Sequence, residues 1–408
     1  MKKIVIAGMM MDTNLGDDIY PHCLKYLFSE ISDAEMTFCE MDFCGRAIRS
    51  ELNTATEKKA ELINSKNLNI LQKLTIKCVN GVLYRLDQKD RAQHIVWKVN
   101  PNNQKRLYEY YTKCLEGADL LVFGGGGIIE FSGVHDAHHH VGTILEIADE
   151  MHIPTVFNSV GRVVNEKHMF GFDIMKKALN RDCVKSMTCR DGVDWVNQNI
   201  YDGKPFATEL PCCAVFSSEA YHVTKDPASR TIGIGVIREN IFASYGNSFS
   251  PERLLDLYEQ VVRKVLELGY DCCIFTNGYS KDIEFGQKLS ERLGKSTHIC
   301  YALCPSNGEE LVRTIATFKA MITARLHSII VAYALDVPAV GITWTNKVAD
   351  FLNLAGKPEN AVPAEKLKAD VLVNALQKAI KEGYDSDLRD SLKEKIHGKV
   401  KEMLTYMK

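Results

Sequence analysis

Hydrophobic residues in this chain fall into short, β-branched runs that alternate with longer stretches of helical periodicity. The run KIVIAG at 3–8 predicts a buried strand, and GDDIYPHCLKYLFSEI after it predicts a helix. Pro21 is tolerated only near the first turn of a helix, so the pattern leaves the start of this helix open. EMTFCEMD at 35–42 predicts a second strand. The chain therefore begins with the strand–helix–strand order of an α/β domain.

The same alternation continues to about residue 215. Residues 50–115 are mostly polar and helical in composition, and their elements are not assigned. Three further strands are predicted after them: DLLVFGGGG at 119–127, PTVFNSVG at 154–161 and SMTCRD at 186–191. The polar stretch SSEAYHVTKDPASR that follows predicts a linker.

Beyond this stretch the alternation starts again. TIGIGVIRE at 231–239 predicts a strand, and LLDLYEQVVRKVLELG predicts an amphipathic helix that ends at Gly269. Three more runs predict strands: DCCIFTNG, AMITARL and PAVGITW. The chain from about residue 364 is charged, and its pattern predicts helices. We therefore predict two Rossmann-like α/β domains with mainly parallel sheets, an N-terminal one at 1–220 and a C-terminal one at 221–408.

Composition agrees with two domains and narrows the class of protein. A chain of 408 residues with 46% hydrophobic and 25% charged content is too long for one core. The formal charge of -2 argues against a large nucleic-acid surface. Thirteen cysteines without a framework or a CxxC pair indicate free thiols and no structural zinc. The N-terminal apolar run is too short for a signal peptide and no run is as long as a membrane span, so we expect a cytoplasmic protein.

Every candidate motif follows a predicted strand. Ligands of parallel sheets bind beyond the carboxyl ends of the strands, where helix N-termini also point. This shared position predicts one active cleft between the two domains.

The sequence MITARLHSII at 321–330 carries the main candidates for chemistry, Arg325 and His327. An arginine clamps a carboxylate or phosphate with two parallel hydrogen bonds, and a histidine exchanges protons near neutral pH. The alternative is structural, with the arginine paired to an acid and the histidine capping a helix. A structure with Arg325 turned away from the groove and locked onto a buried glutamate or aspartate would refute a binding role.

Further cations follow other predicted strands of the same domain. Arg238 follows the apolar run IGIGVI, and Lys347 follows ITWTN. A lone cation is usually a solvated surface group. Together with Arg325, however, these two predict a basic pocket for a small anion.

Two loops of the N-terminal half are candidates for substrate binding. VFGGGGII at 122–129 brings Gly125 and Gly126 after a buried strand, where glycines allow close backbone approach to an anion. It lacks the spacing of a Walker or dinucleotide motif, and a tight turn explains it equally well. Asn14 and Asp17 flank Gly16, so they suit either turn chemistry or the binding of sugar hydroxyls.

The histidines of GVHDAHHHVG raise the question of a metal site. Neighbouring side chains on a helix point about 100° apart, so three consecutive histidines do not share one ion. His135 and His139 have the i, i+4 spacing of a metal-binding face, but no third ligand is evident. We predict no metal; His139 is a candidate to bind or deprotonate an acceptor hydroxyl, and polar surface is the simpler reading.

Taken together, these motifs resemble the polysaccharide pyruvyl transferase family. The matching stretches are NLGDD at 14–18, LLVFGGGGI at 120–128, TCRDGVDWV at 188–196 and, most distinctive, ITARLHSIIVAYALDVPAVGITWTNKVADFL at 322–352. TELPCCAVF at 208–216 departs from the family's usual Asp-Pro-Ala-type segment, and 50–110 carry no family motif.

The resemblance implies a two-domain, GT-B-like fold and transfer of pyruvate from phosphoenolpyruvate to a sugar hydroxyl, forming a ketal. It implies that Arg325 and His327 bind phosphoenolpyruvate, and that the acceptor is a sugar or lipid-linked oligosaccharide of a surface, capsular or exopolysaccharide. No cofactor is implied. The alternatives are a nucleotide-sugar glycosyltransferase of the same fold and a non-catalytic protein that binds an anionic metabolite. The charged C-terminal helices leave homo-oligomer formation and contact with a membrane surface open.

Overall fold

A computed structural model describes residues 1–10, 14–43, 69–83, 95, 97–99, 101–131, 137–163, 167–238, 240–243 and 249–407. Within them the chain forms two six-stranded parallel sheets, and helices alternate with the strands along the sequence. The predicted α/β class is confirmed.

The first sheet has the strand order β2-β1-β3-β4-β5-β6, and each neighbouring pair is parallel. All five strands predicted for the N-terminal half belong to it. The sixth, β6, has three residues, too few for a periodicity to be visible in the sequence. The strands are β1 Lys2–Gly8, β2 Met36–Asp42, β3 Leu120–Gly124, β4 Thr155–Val160, β5 Val184–Cys189 and β6 Ala207–Glu209.

Central strands of this sheet are buried at consecutive positions and are mainly apolar. Leu120–Gly124 and Thr155–Val160 are buried at every residue. A strand of a parallel sheet is covered on both faces, so its sequence is a continuous apolar run instead of an alternating one. This is why those two runs were recognisable without further context.

The helices that accompany the first sheet are α1 Gly16–Ile31, α2 Ile70–Leu83, α3 Pro101–Leu115, α4 Ala137–Glu150, α5 Gly171–Leu179 and α6 Val193–Asn199. Helix α1 contains Pro21 in its second turn. Proline has no N–H, so the carbonyl four residues earlier receives no helical hydrogen bond from it.

The second sheet has the order β12-β11-β10-β7-β8-β9, again with parallel neighbours. Four of its strands were predicted. The two that the pattern did not reveal lie at the edges of the sheet, and β12 ends in a proline, which an edge tolerates. The strands are β7 Thr231–Gly235, β8 Asp271–Phe275, β9 Ile299–Ala302, β10 Ala320–Thr323, β11 Ala339–Thr343 and β12 Ala361–Pro363.

The helices of the second half are α7 Ser217–Ala220, α8 Asn240–Ala243, α9 Pro251–Glu267, α10 Ser280–Leu293, α11 Gly308–Ala316, α12 Leu326–Ala334, α13 Asn346–Leu354, α14 Ala369–Glu382 and α15 Ser386–Leu404. Three short 3₁₀ segments occur at Cys213–Phe216, Pro358–Asn360 and Ala364–Lys366. The charged C-terminal segment is helical, as predicted. Across the described ranges, no helix is both long enough and apolar enough to cross a bilayer.

Local signals account for the ends of α9, the helix most evident in the sequence. The Ser250 side chain accepts a hydrogen bond from the Arg253 amide at 3.2 Å, and Pro251 occupies the first helical position. Gly269, the predicted stop, has φ +81, a left-handed conformation that favours glycine.

The described chain divides into two units whose limits differ from a single cut at residue 220. The first unit comprises Met1–Met11, Phe28–Leu210 and Gly398–Lys408, and the second comprises Asp12–Leu27 and Pro211–His397. The segment predicted as a linker begins with α7, whose buried Ser217 belongs to the second unit. In the same unit, the rings of His22 and Tyr221 stack at 4.1 Å. The polar segment that was predicted as a linker therefore includes a short packed helix, α7.

Candidate active site

Three neighbouring strands of the second sheet bring two arginines and a buried carboxylate together. Arg325 follows β10, Arg238 follows β7, and Tyr279 and Asp282 follow β8. The order β10-β7-β8 makes these strands adjacent, and their carboxyl ends lie at the same edge of the sheet. Sequence positions far apart thus meet in one cluster.

Asp282 holds both arginines. Its side chain is fully buried, and Oδ2 accepts hydrogen bonds from Arg325 Nε, at 2.8 Å, and from Arg325 Nη2. Oδ1 accepts from the Arg238 amide at 3.1 Å and from Arg238 Nη1 at 3.5 Å. Both guanidinium groups also lie near the ring of Tyr279, at 4.2 Å for Arg238 and 5.6 Å for Arg325. We call Arg238 and Arg325, together with the Asp282 carboxylate that they share, the arginine pair.

The structural alternative considered for Arg325, pairing with a buried acid, is therefore present. This pairing leaves hydrogen-bond donors of Arg325 for a ligand, because a guanidinium has five N–H donors and Asp282 receives two of them. Two guanidinium groups share one carboxylate, so the arginine pair keeps a net positive charge if all three groups are ionised. The side chains are 13% exposed for Arg325 and 21% for Arg238. Asp282 thus fixes the positions of two cations without cancelling their charge.

Tyr258 lies beneath the arginine pair on α9. Its hydroxyl donates to the Gly235 carbonyl at 3.5 Å. Burial raises the pKa of Tyr258 well above its ordinary value, and the nearby negative charge of Asp282 raises it further. The phenol is therefore a neutral, structural neighbour of the cluster.

His327 lies in the first turn of α12, two residues after Arg325. The residue is 5% exposed, and its buried Nε2 has no hydrogen-bond partner within the described part of the chain. On its other side the imidazole packs against the backbone of Gly16, because a Cβ at Gly16 would overlap Nδ1. A buried ring nitrogen without a partner is available to a ligand.

Two side-chain amides and one hydroxyl lie in the same region. They belong to Asn14, Asn277 and Ser328, and we call these three residues the amide cluster. Ser328 Oγ donates to Asn277 Oδ1 at 2.6 Å, while Asn277 Nδ2 is buried without a partner. The Asn277 carbonyl accepts from the Leu15 amide at 2.9 Å, which ties this loop to the start of α1. Asn14 Nδ2 donates to Asp17 Oδ2 at 3.2 Å, and Asn14 Oδ1 is also without a partner.

Of the residues predicted for substrate binding, Asn14 and Asp17 thus lie in the second unit beside His327, although they come early in the chain. Asp17 is 8% exposed. Lys347 is one strand further along, half-buried in the first turn of α13. Asn277 and Asp282 were not singled out from the sequence, since Asn277-Gly278 has the composition of an ordinary turn and Asp282 that of a helix start.

Gly125, Gly126 and His139 belong to the first unit. The two glycines follow β3 with φ +69 and +67, so both need the left-handed conformation. His139 is 7% exposed and stacks on Trp97 with ring centroids 4.8 Å apart. Its environment is a buried aromatic cluster and not polar surface. His135 lies outside the described residues, and no cluster of potential metal ligands occurs within them.

A protein-family model matches most of this chain. The family model described as polysaccharide pyruvyl transferase matches residues 14–346. The chain belongs to the polysaccharide pyruvyl transferase family. The match includes the arginine pair, His327 and the amide cluster, and ends one residue before Lys347. Comparison of the sequence with curated proteins gave no match.

Solved structures similar to this chain share its fold at low sequence identity. One is UDP-GlcNAc 2-epimerase from Methanocaldococcus jannaschii in complex with UDP-GlcNAc and UDP, with 11% identity, a TM-score of 0.53 and coverage of 100% of both chains. Another is a putative UDP-N-acetylglucosamine 2-epimerase from Listeria monocytogenes, with 11% identity, a TM-score of 0.50 and coverage of 96% of this chain and 91% of that one. The GT-B-like fold implied by the family resemblance is confirmed.

Proposed function

We propose that this transferase moves a pyruvyl group from phosphoenolpyruvate to a sugar of a polysaccharide precursor and forms a pyruvate ketal. The observation that carries the proposal is the arginine pair beside the first turn of α12. Phosphoenolpyruvate has a carboxylate and a phosphate on a three-carbon frame, so its recognition needs positive charge in a small volume. Family membership supports the transferase class, and the arginine pair supports an anionic donor.

In this proposal Arg325 and Arg238 bind the donor's anionic groups with the N–H groups that Asp282 leaves unused. The fixed guanidinium groups lose little conformational freedom on binding, which favours affinity. They also stabilise negative charge on the phosphate as its bond to C2 weakens. Asp282 is a positioning residue, since it acts through the arginines.

The chemistry needs one proton delivered and two removed. The methylene carbon gains a proton and becomes a methyl group, which makes C2 electrophilic. One sugar hydroxyl adds to C2 and loses its proton. A second hydroxyl then adds to C2 and loses its proton, while the C2–O bond to phosphate breaks and phosphate leaves with the electron pair. His327 Nε2 is our candidate for proton delivery or phosphate contact, because it is buried without a protein partner.

The remaining groups have supporting roles in this proposal. Asn277 Nδ2 and Asn14 Oδ1 are a buried donor and a buried acceptor on segments that contact α12 through Ser328 and Gly16, and they suit ligand oxygens and hydroxyls. No cofactor is needed, since phosphoenolpyruvate supplies the activated group. We place the reaction in the cytoplasm because each cysteine within the described residues is a free thiol, as in a reducing compartment.

The test is calorimetric titration of the full chain with phosphoenolpyruvate, inorganic phosphate and UDP-GlcNAc in parallel, followed by phosphorus NMR of mixtures with diphosphate-linked sugars. We expect phosphoenolpyruvate to bind, and inorganic phosphate to be released only when an acceptor is present. Arg325→Ala should weaken phosphoenolpyruvate binding at least 100-fold, about 2.7 kcal/mol or more. Arg230→Ala is the matched control, because Arg230 is exposed and its side chain bonds the Gly269 carbonyl, at 2.6 Å.

Other results would change the proposal. Binding of UDP-GlcNAc without binding of phosphoenolpyruvate favours a nucleotide-sugar glycosyltransferase, since the fold neighbours are named as UDP-sugar enzymes. Saturable binding of phosphoenolpyruvate without phosphate release in any mixture favours a non-catalytic role. Wild-type affinity in folded Arg325→Ala protein would assign Arg325 to structure alone.

A further inference from the structure

A second buried arginine lies at the carboxyl edge of the first sheet. Arg190 follows β5, and its side chain is 9% exposed. Its Nε and Nη1 are buried and have no hydrogen-bond partner among the residues that the structure describes. The carboxylate of Asp191 is near, with Oδ2 3.6 Å from Nε, but this separation is longer than a hydrogen bond. Arg190 therefore differs from Arg325, whose guanidinium is bonded to a buried acid.

The guanidinium of Arg190 lies against the turn that contains Gly125 and Gly126. A Cβ at Gly161 would be 2.8 Å from Arg190 Nη2, 2.9 Å from Nε and 3.1 Å from the Gly126 carbonyl oxygen. The Gly161 amide donates to that carbonyl at 3.0 Å. The absence of side chains thus lets the guanidinium approach two backbone segments closely.

The same turn presents backbone donors. Within the described part of the chain, the amides of Gly125, Gly126 and Gly127 have no backbone acceptor. The first two glycines are buried, and φ is +69 and +67, which side chains rarely adopt. Backbone amides of glycine-rich turns after strands are donors for anions. They lie near a cationic side chain, Arg190, two of whose nitrogens have no hydrogen-bond partner among the described residues.

A second cation completes the cluster. The Arg162 amide donates to Asp191 Oδ1 at 2.6 Å, and the Arg162 guanidinium lies 5.0 Å from the ring centre of Trp195. Two guanidinium groups and one carboxylate leave a net positive charge if all are ionised. The two guanidinium groups thus outnumber the one carboxylate, Asp191, that contacts these two residues.

We propose that Arg190, Arg162 and the Gly125–Gly126 turn form a second oxyanion site, which takes a phosphate or diphosphate group. A phosphoryl group has several acceptor oxygens, and it would bond the donors that the protein leaves without partners. The inference rests on the proposed function for one point only: if the donor's phosphate binds at the arginine pair, this site takes the phosphate of a phosphorylated sugar acceptor.

The test is calorimetric titration of the full chain with inorganic pyrophosphate, phosphoenolpyruvate and UDP-GlcNAc as separate ligands. Arg190→Met removes the charge at similar length, Arg190→Lys keeps it, and Gly161→Ala displaces the guanidinium without changing the charge. Arg181→Met is the matched control in the same unit, because Arg181 Nη1 already bonds Asp149 at 3.4 Å. Circular dichroism checks that each variant is folded.

We expect Arg190→Met and Gly161→Ala to weaken pyrophosphate and UDP-GlcNAc binding at least tenfold, and Arg190→Lys to weaken it less. Arg181→Met should bind like the wild type. Arg325→Ala should leave this binding intact while it weakens phosphoenolpyruvate, so failure of this inference and failure of the proposed function are distinguishable.

Two results would overturn the inference. One is pyrophosphate and UDP-GlcNAc affinity that is unchanged in folded Arg190→Met and Gly161→Ala proteins. The other is a loss confined to phosphoenolpyruvate in these variants, which would assign Arg190 to the donor.

Discussion

The carboxyl edges of the two sheets carry buried arginines in different electrostatic settings. In the second unit, Arg325 and Arg238 share the buried carboxylate of Asp282. In the first unit, Arg190 has two nitrogens without a hydrogen bond, and Asp191 approaches only to 3.6 Å. Arg325 and Arg238 each bond a buried carboxylate with part of their donors, whereas Nε and Nη1 of Arg190 have no hydrogen-bond partner among the described residues.

This difference separates stability from binding. A buried pair that loses one partner leaves an uncompensated charge, so the arginine pair stabilises the fold only as a complete unit. A buried guanidinium without partners already carries the desolvation penalty, and a ligand or an apolar replacement would relieve it. Substitutions at the two edges should therefore change stability in opposite directions.

Asp282→Asn is the change with the largest expected effect. It removes the charge that holds two buried guanidinium groups, and we expect the free energy of unfolding to fall by about 3–5 kcal/mol. Urea denaturation followed by circular dichroism measures this. The matched control is Asp336→Asn, an acid of the same unit that bonds Arg389 at 2.9 Å but is 54% exposed. That pair should contribute about 1 kcal/mol or less, and an equal loss in the two variants would contradict this account of Asp282.

Gly16→Ala should have the next largest effect, because its Cβ would overlap the imidazole of His327. We expect a loss of about 1–3 kcal/mol from overpacking, together with weaker phosphoenolpyruvate binding by calorimetry. Gly398→Ala is the control, since nothing lies within 4 Å of a Cβ at this helical position. It should stabilise the protein by about 0.5–1 kcal/mol. Unchanged stability in Gly16→Ala would show that the His327 ring moves aside without penalty.

Arg190→Met tests the buried arginine at the carboxyl edge of the first sheet. The change removes a buried charge whose Nε and Nη1 lack hydrogen bonds, so we expect the free energy of unfolding to rise by about 1 kcal/mol. The gain is limited because Asp191 loses its nearest cation. Arg181→Met should instead destabilise slightly, since it breaks the bond to Asp149. A clear destabilisation by Arg190→Met in urea denaturation would mean that the protein already compensates this charge.

Asp119 at the start of β3 should give the smallest effect. Its carboxylate accepts from the Lys3 amide at 2.8 Å and from Lys2 Nζ at 3.0 Å, and these bonds lower the pKa of Asp119. A lowered pKa in the folded state contributes stability above the ordinary value of 3.8 and loses it as the pH falls through the folded value. Asp119→Asn should cost about 1 kcal/mol at pH 7. The difference from the wild type should shrink below pH 4 in urea denaturation, and a constant difference would exclude this titration as its cause.

Sequence periodicity was sufficient for the strands buried within each sheet and insufficient for the short edge strands. Leu120–Gly124 is a continuous apolar run, and Asp271–Phe275 is apolar after its first residue. Ala207–Glu209 and Ala361–Pro363 are too short to show a period. The segment 217–230 was interpreted as a linker because it is polar. Its first residues form a helix packed within the second unit, which composition alone does not reveal.

The amino-acid sequence alone established the strand–helix alternation, the family resemblance, and the position of Arg325 and His327 after a buried strand. Those features depend on local periodicity and spacing, which are properties of neighbouring residues. The partners of these side chains could not be derived in the same way. Asp282 is 43 residues from Arg325, and Asn277 is 51 residues from Ser328. They meet because β7, β8 and β10 are adjacent in the second sheet, and strand order is set by packing over the whole domain, not by local pattern.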